Sequence, residues 1–302
     1  LKSVATNHFP RYTFKDGEKL LWNPLLKKAF SDRPEERVRL QLLDFLLLEA
    51  SYSSSRISFE SPVNLPRDKS ASRTDVICFD KNFDPYLLIE CKAPEVTLNE
   101  KASIQIARYN QKVGAPFLLI SNGLEDFLFS NAAESIMRLS EFPLELSAKS
   151  EFNTDWEYWE KRGFIGKRSD KNIKKWILES CDMLYQFETN SAPSYFKFPG
   201  TDPTLFLANY YRIFMLNRSD KLALSLTATP FGTTLLNGVL NRNGVNTSII
   251  SISCDLLADK DSKNTLIHSS SGASLMDLND QVSFSFSNSL DHYINDLASL
   301  MS

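Results

Sequence analysis

The stretch Tyr86-Leu-Leu-Ile-Glu90-Cys91-Lys92-Ala-Pro94 decides how the N-terminal half of this chain is read. Its apolar approach, Leu87–Ile89, predicts a buried central strand that ends on two charged side chains. Side chains alternate along a strand, so Glu90 and Lys92 leave the same face about 6–7 Å apart. Burying unpaired charge is expensive, so a carboxylate and an ammonium at that depth need a partner. A divalent metal ion is one that would justify them.

Working outward, Arg73-Thr-Asp75-Val-Ile-Cys-Phe79 predicts a preceding strand with Asp75 near its start. Antiparallel pairing would set Asp75 beside Glu90. Two carboxylates, the main-chain carbonyl of Cys91 and waters would form an oxygen-rich site suited to Mg²⁺ or Mn²⁺. Such a site activates water and stabilises charge on a phosphodiester. The wider order is helix (33–50), strands (56–61, 73–79, 86–92), helix (98–112) and strand (117–121), with Phe127–Phe129 as a further strand. Pro34 falls in the first helical turn, where it is tolerated, and Gly114-Ala115-Pro116 ends the second helix. Gln105 and Tyr109 stand four apart and share a helix face. Composition alone supplies about two acid-x-Lys tripeptides in such a chain, and two occur, the other being Asp261-Ser-Lys263 in a polar stretch. A structural reading of Glu90 and Lys92 therefore competes with the functional one, and the neighbouring elements favour the latter.

The bulk numbers exclude several classes. The 302 residues are 42% hydrophobic and 24% charged with a net charge of −3, which argues against coating nucleic acid over the whole surface. Cys78, Cys91, Cys181 and Cys254 form no C-x-x-C pair, and His8, His268 and His292 are isolated, so zinc-ligand spacing is absent and the histidines are given no role. Buried unpaired thiols point to a reducing, cytoplasmic compartment. No apolar run reaches the ~18 residues of a membrane span, and the opening residues lack a signal-peptide core.

In order and spacing, Pro34-Glu-Glu-Arg-Val-Arg39, Arg73-Thr-Asp-Val-Ile77, Leu88-Ile-Glu-Cys-Lys-Ala-Pro94, Gln105-Ile-Ala-Arg-Tyr-Asn110 and Ser121-Asn-Gly123 resemble the N-terminal nuclease domain of bacterial type I restriction enzyme R subunits, in a stand-alone form. The resemblance covers residues ~14–130, about 40% of the chain. It implies a PD-(D/E)XK restriction-endonuclease-like α/β core (αβββαβ, a mixed central sheet flanked by helices) and Mg²⁺-dependent DNA cleavage within a restriction or defence system. It further implies Asp75, Glu90 and Lys92 as the catalytic core, Glu36 as an accessory acid, and Gln105 and Tyr109 near DNA or metal. Leu40 departs from the pattern, standing where a Gln often follows the Val-Arg step. The G-x-x-x-x-G-K-[ST] phosphate loop of the R-subunit motor is absent, so no ATP is expected. A second reading follows from that absence: a non-cleaving nucleic-acid-binding or assembly module that keeps the fold.

Residues 1–150 are thus expected as a nuclease-like domain, 151–194 as a basic, aromatic connector with one helix over 171–188, and 195–302 as a separate α+β domain. The last would have helices at 203–217, 233–241 and 289–301 and strands at 222–229, 248–254 and 282–287. It is the expected surface for a homodimer or partner subunits. Within Lys161–Lys175, seven basic residues face one acid, with Phe164 and Trp176 interleaved. Lys167, Arg168, Lys171, Lys174 and Lys175 therefore read either as DNA-backbone contacts or as a solvated helix face. Trp156 and Trp159 read as packing. Arg73 and Arg108 either contact phosphate or pair with carboxylates. Leu226-Thr-Ala-Thr-Pro230 reads as a strand end.

Overall fold

A computed structural model describes residues 1–63, 72–132, 135–143, 146, 155–170, 173–186, 192–198, 207–259 and 262–302. The chain divides into two compact units, Leu1–Glu151 and Phe152–Ser302.

The first unit opens with a three-stranded antiparallel sheet: β1 (Arg11–Lys15), β2 (Glu18–Asn23) and β3 (Lys28–Phe30). Then come α1 (Pro34–Leu48), β4 (Ile57–Val63), β5 (Ser72–Phe79), β6 (Pro85–Cys91), α2 (Glu100–Val113), β7 (Phe117–Ser121), β8 (Asp126–Ala132) and β9 (Ser135–Leu139). Pro34 does occupy the first turn of α1. Asn99 caps α2 through its side-chain oxygen, and Gly114 ends it in the left-handed conformation at φ +74°.

Strands β4 to β9 form one six-stranded sheet in sequence order. All its pairings are antiparallel except β6 with β7, which run parallel because α2 crosses between them. The sheet therefore buries both faces. Val76, Cys78, Leu87, Ile89 and Cys91 pack with Val38, Leu42 and Phe45 of α1. Ile77, Leu88, Leu118 and Ile120 pack with Ala102 and Ile106 of α2. Burial on both faces explains why β6 and β7 read as continuous apolar runs rather than alternating ones. All four cysteines are buried and unpaired. Among the described residues no helix is long and apolar enough to cross a membrane.

The second unit contains α3 (Trp156–Lys161), α4 (Lys174–Tyr185), β10 (Ser194–Phe198), β11 (Leu207–Met215), β12 (Asp220–Ala228), β13 (Thr234–Arg242), β14 (Val245–Ser253), β15 (Thr265–Ser269), β16 (Gly272–Met276) and α5 (Ile294–Leu300). Its seven strands make a single antiparallel meander. Two expected helices are strands here, within 207–215 and 234–242; residues 203–206 lie outside the described residues. The error has a physical cause. Both strands bury consecutive residues, Asn209–Arg212 and Leu236–Leu240, so no alternation of period two marks them, and periodicity cannot tell them from a short buried helix. Gly238 sits inside β13 because a Cβ there would meet Ile250 at 2.7 Å and Leu224 at 3.1 Å. Residues 282–287 form no strand. Their alternation reflects Phe284 and Phe286 packing edge-on against Trp176, with Phe284 also stacked on Tyr293.

The helix expected within a connector is α4, and it lies inside the second unit together with α3, which was not expected. Arg212 of β11 donates to the carbonyls of Met183, Leu184 and Gln186, closing the C-terminal end of α4. Trp159 is buried against Phe164 and stacked on Tyr185. Leu226-Thr-Ala-Thr-Pro230 does fall at the end of β12.

Candidate functional site

The end of the β5–β6 pair builds the site. The ladder register matches Val76 with Ile89, so the next positions outward are Asp75 and Glu90. There the backbone pairing stops, and the Cys91 N–H donates instead to Asp75 Oδ2 at 2.6 Å. The Asp75 carboxylate thus substitutes for a ladder carbonyl and is fixed in place by the neighbouring strand. Asp75 and Glu90 follow the alternation of Ile77 and Leu88, which places them on the α2 face of the sheet.

From α2, Gln105 reaches into this group. Its Nε2 donates to Glu90 Oε1 at 2.7 Å and to the Tyr109 hydroxyl at 3.3 Å. Lys92 Nζ donates to Glu90 Oε1 at 2.8 Å and to Gln105 Oε1 at 3.2 Å. Glu90, Lys92 and Gln105 therefore close a three-membered hydrogen-bonded ring, with Tyr109 on its rim.

From α1, Arg39 supplies the second cation. One guanidinium meets three carboxylates: Asp75 Oδ1 at 2.8 Å, Glu36 Oε2 at 2.8 Å and Glu60 Oε1 at 3.1 Å. Glu36 and Arg39 are one turn apart and share a helix face. Glu60 lies in β4 at φ +53°, between the paired positions Phe59–Val76 and Ser61–Thr74. The ladder skips this one position without a shift of register, and the left-handed backbone there is the local departure from extended geometry.

The charge balance is uneven. Four carboxylates (Glu36, Glu60, Asp75, Glu90) surround two cations (Arg39, Lys92), and Glu36, Asp75 and Glu90 are each at most 8% exposed. Burial, then repulsion from Asp75, pushes the Glu90 carboxyl up to about 7, against the opposing pull of Lys92. Asp75 is raised by burial, although Arg39 and the Cys91 N–H oppose this. Glu36 is raised by burial, and Arg39 offsets it in part. Glu36 Oε1 is buried without a hydrogen-bond partner. Hard oxygen donors, excess negative charge and an orphaned acid oxygen suit a small divalent cation. Among the described residues, however, no three His, Cys, Asp or Glu side chains are arranged to hold a metal ion. Ligation would rest on Asp75, Glu90 and non-side-chain oxygens, of which the Cys91 carbonyl is a candidate.

Of the residues singled out in the sequence, Glu36, Asp75, Glu90, Cys91, Lys92, Gln105 and Tyr109 come together. Arg73 on β5 and Arg108 on α2 are exposed, and Arg73 has no carboxylate partner among the described residues. Lys167, Arg168, Lys174 and Lys175 belong to the second unit, and Lys171 lies outside the described residues. Lys174 sits over the Trp156 ring, and Lys175 approaches Glu179 at 3.7 Å. The interleaved aromatics are not available for stacking: Phe164 and Trp176 are buried, as is Arg162. Two residues were missed. Arg39 had a signal, its position one turn after Glu36; Glu60 had none.

A mixed sheet ending on opposed carboxylates and a lysine, closed by polar groups from both flanking helices, defines an α/β protein with an acid–lysine site. Residues 34–143 match the family described as Type I restriction enzyme R protein N terminus, as the order of the motifs had implied. The match ends within the first unit. No curated protein matches the chain.

Proposed function

We propose that the first unit is a PD-(D/E)XK-type endonuclease domain that hydrolyses DNA phosphodiester bonds with Mg²⁺ or Mn²⁺. The observation that carries this reading is the placement of Asp75, Glu90 and Lys92 at one strand end, on one face, with Gln105 bonded to both Glu90 and Lys92. The R-protein family match supports a restriction-related role, and with it DNA as the substrate and other subunits as partners. A cation held by Asp75 and Glu90, with the Cys91 carbonyl, would supply Lewis acidity and lower the pKa of bound water. The chain's own residues do the rest. Lys92 places a positive charge beside the acids, where charge would develop on a phosphate. Gln105 fixes the orientation of both Glu90 and Lys92, so neither must reorganise during the reaction.

The test is cleavage of supercoiled and linear DNA by the full chain with Mg²⁺ or Mn²⁺, against Lys92→Ala and Gln105→Ala. Lys92→Ala should abolish cutting without unfolding the chain, because Glu90 can take up a proton in its place. Gln105→Ala should slow it by roughly 10²-fold or less, the effect of misplacing groups that remain present. A parent chain that leaves DNA intact and binds no metal by calorimetry would defeat the proposal.

A second reading has its own observation. Asp75 already has both oxygens engaged, by Arg39 and by the Cys91 N–H. A site closed in this way fits a nucleic-acid-binding or assembly module that keeps the nuclease fold without cutting. DNA affinity that is unchanged by EDTA, with no cleavage, would select it.

A further inference from the structure

We infer that the β12–β13 turn of the second unit is a stacking contact for single-stranded nucleic acid, with Phe231 as the platform and Lys167 and Arg168 as its phosphate contacts. Phe231 is 79% exposed, the most exposed large apolar side chain among the described residues. Its surroundings are rigid. Thr229 and Thr233 close the turn through Thr229 N to Thr233 O at 2.9 Å, Gly232 N to Thr229 O at 3.0 Å, and their paired hydroxyls at 2.7 Å. A mobile loop could hide a phenyl ring by collapsing; a turn bonded this way holds it out in water.

The two cations are fixed beside it by the segment from Gly163 to Ser169. Ala228 N donates to Gly163 O at 2.9 Å, Gly166 N to Thr234 Oγ1 at 2.9 Å, and Arg168 N to Gly232 O at 2.8 Å. The two backbones approach so closely that a Cβ on Gly166 would stand 2.2 Å from Gly232 O, and the Arg168 stem lies against Gly232. Lys167 and Arg168 are exposed and have no carboxylate partner among the described residues, unlike Lys161 with Glu157.

An isolated aromatic ring ringed by Thr, Pro and two free cations is a poor centre for a protein interface, which needs a contiguous apolar core. It suits a base on a flexible phosphate backbone. Stacking on an aromatic ring is tolerant of sequence, and adjacent Lys and Arg take the phosphates. Duplex bases are already stacked and offer the ring no face. This inference concerns the second unit and stands apart from the nuclease reading.

The experiment is anisotropy of a labelled oligothymidylate, and of the matching RNA and duplex, titrated with the full chain in EDTA across a salt series. Phe231→Ala should weaken single-strand binding roughly five- to a hundredfold, the range of one lost base stack, with the salt slope unchanged. Phe231→Trp should retain binding. The pair Lys167→Ala and Arg168→Ala should make the slope shallower by about 1.4, two charges on a single strand. Because Phe231 is exposed, its variants should melt with the parent, so lost binding is not lost fold. Equal affinity of parent and Phe231→Ala overturns the inference, as does an equal loss on duplex. A parent that does not bind single strands overturns it too, whatever the cleavage assay shows.

Discussion

Arg39 Nη2 and Asp75 Oδ1 form a 2.8 Å ion pair in which both side chains are about nine-tenths buried. The same guanidinium also holds Glu36 and Glu60, so one cation is shared among acids from a helix and two strands. Removing it leaves buried carboxylates without a counter-charge, and such a loss is strongly destabilising even where the intact pair contributes little. Arg39→Ala should therefore lower unfolding stability by about 3–5 kcal/mol, read from urea denaturation. Since burial raises both Glu36 and Asp75, the deficit should shrink in acid, where these groups take up protons. Millimolar Mn²⁺ should restore part of it if the acids accept a cation. Arg39→Lys should recover little, because one ammonium cannot span three carboxylates as a planar fork does.

Glu90 makes a second prediction with a definite sign. Its folded value of about 7 lies above that of a free Glu, so folding favours the neutral form. That contribution is complete below the unfolded value, near 4.5, and is lost as pH rises through 7. Glu90→Gln keeps the shape without the charge. Its melting temperature should match the parent near pH 4, exceed it increasingly as pH rises toward 7, and hold a constant lead above that. A constant offset from about pH 4 to about 7 would show that Glu90 does not titrate there.

His8, dismissed as isolated in the sequence, is a buried clamp. Nδ1 meets Asp44 Oδ2 at 3.1 Å and Nε2 meets Glu49 Oε1 at 2.8 Å, tying the N-terminal segment to α1 and the turn after it. Burial alone would lower its pKa, but the hydrogen bonds and charges of Asp44 and Glu49 outweigh burial and raise it. A raised histidine contributes stability that is complete below its unfolded value of about 6.5 and fades as pH rises through the folded value. His8→Gln should therefore be penalised more near pH 6 than near pH 9, measured by thermal melts of both chains.

Much of the first unit could be read from residues alone, because each element carried a local signal. Pro34 marked the start of α1, Gly114 the end of α2, and Leu87–Ile89 a strand too apolar to face water. The second unit was harder. Its helix at 174–185 and its strand at 220–228 were legible, yet 207–215 and 234–242 were taken for helices because both faces of those strands are covered. The hairpin strands at 11–30 passed unnoticed altogether.

The acid–lysine tripeptide returns the matter to Glu90 and Lys92. Local alternation sufficed to put those two on one face, and the spacing of Gln105 and Tyr109 on α2 was equally local. What the sequence could not determine was their company. That Asp75 would surrender a ladder position to accept the Cys91 N–H, and that Arg39 would gather Glu60 and Asp75 beside its helix neighbour Glu36, depend on how strands and helix meet across gaps of 16 to 36 residues. Periodicity reports which way a side chain points along its own element. Only packing decides which charges from other elements it finds there, and in a buried site those neighbours set the pKa, the stability and the room for a cation.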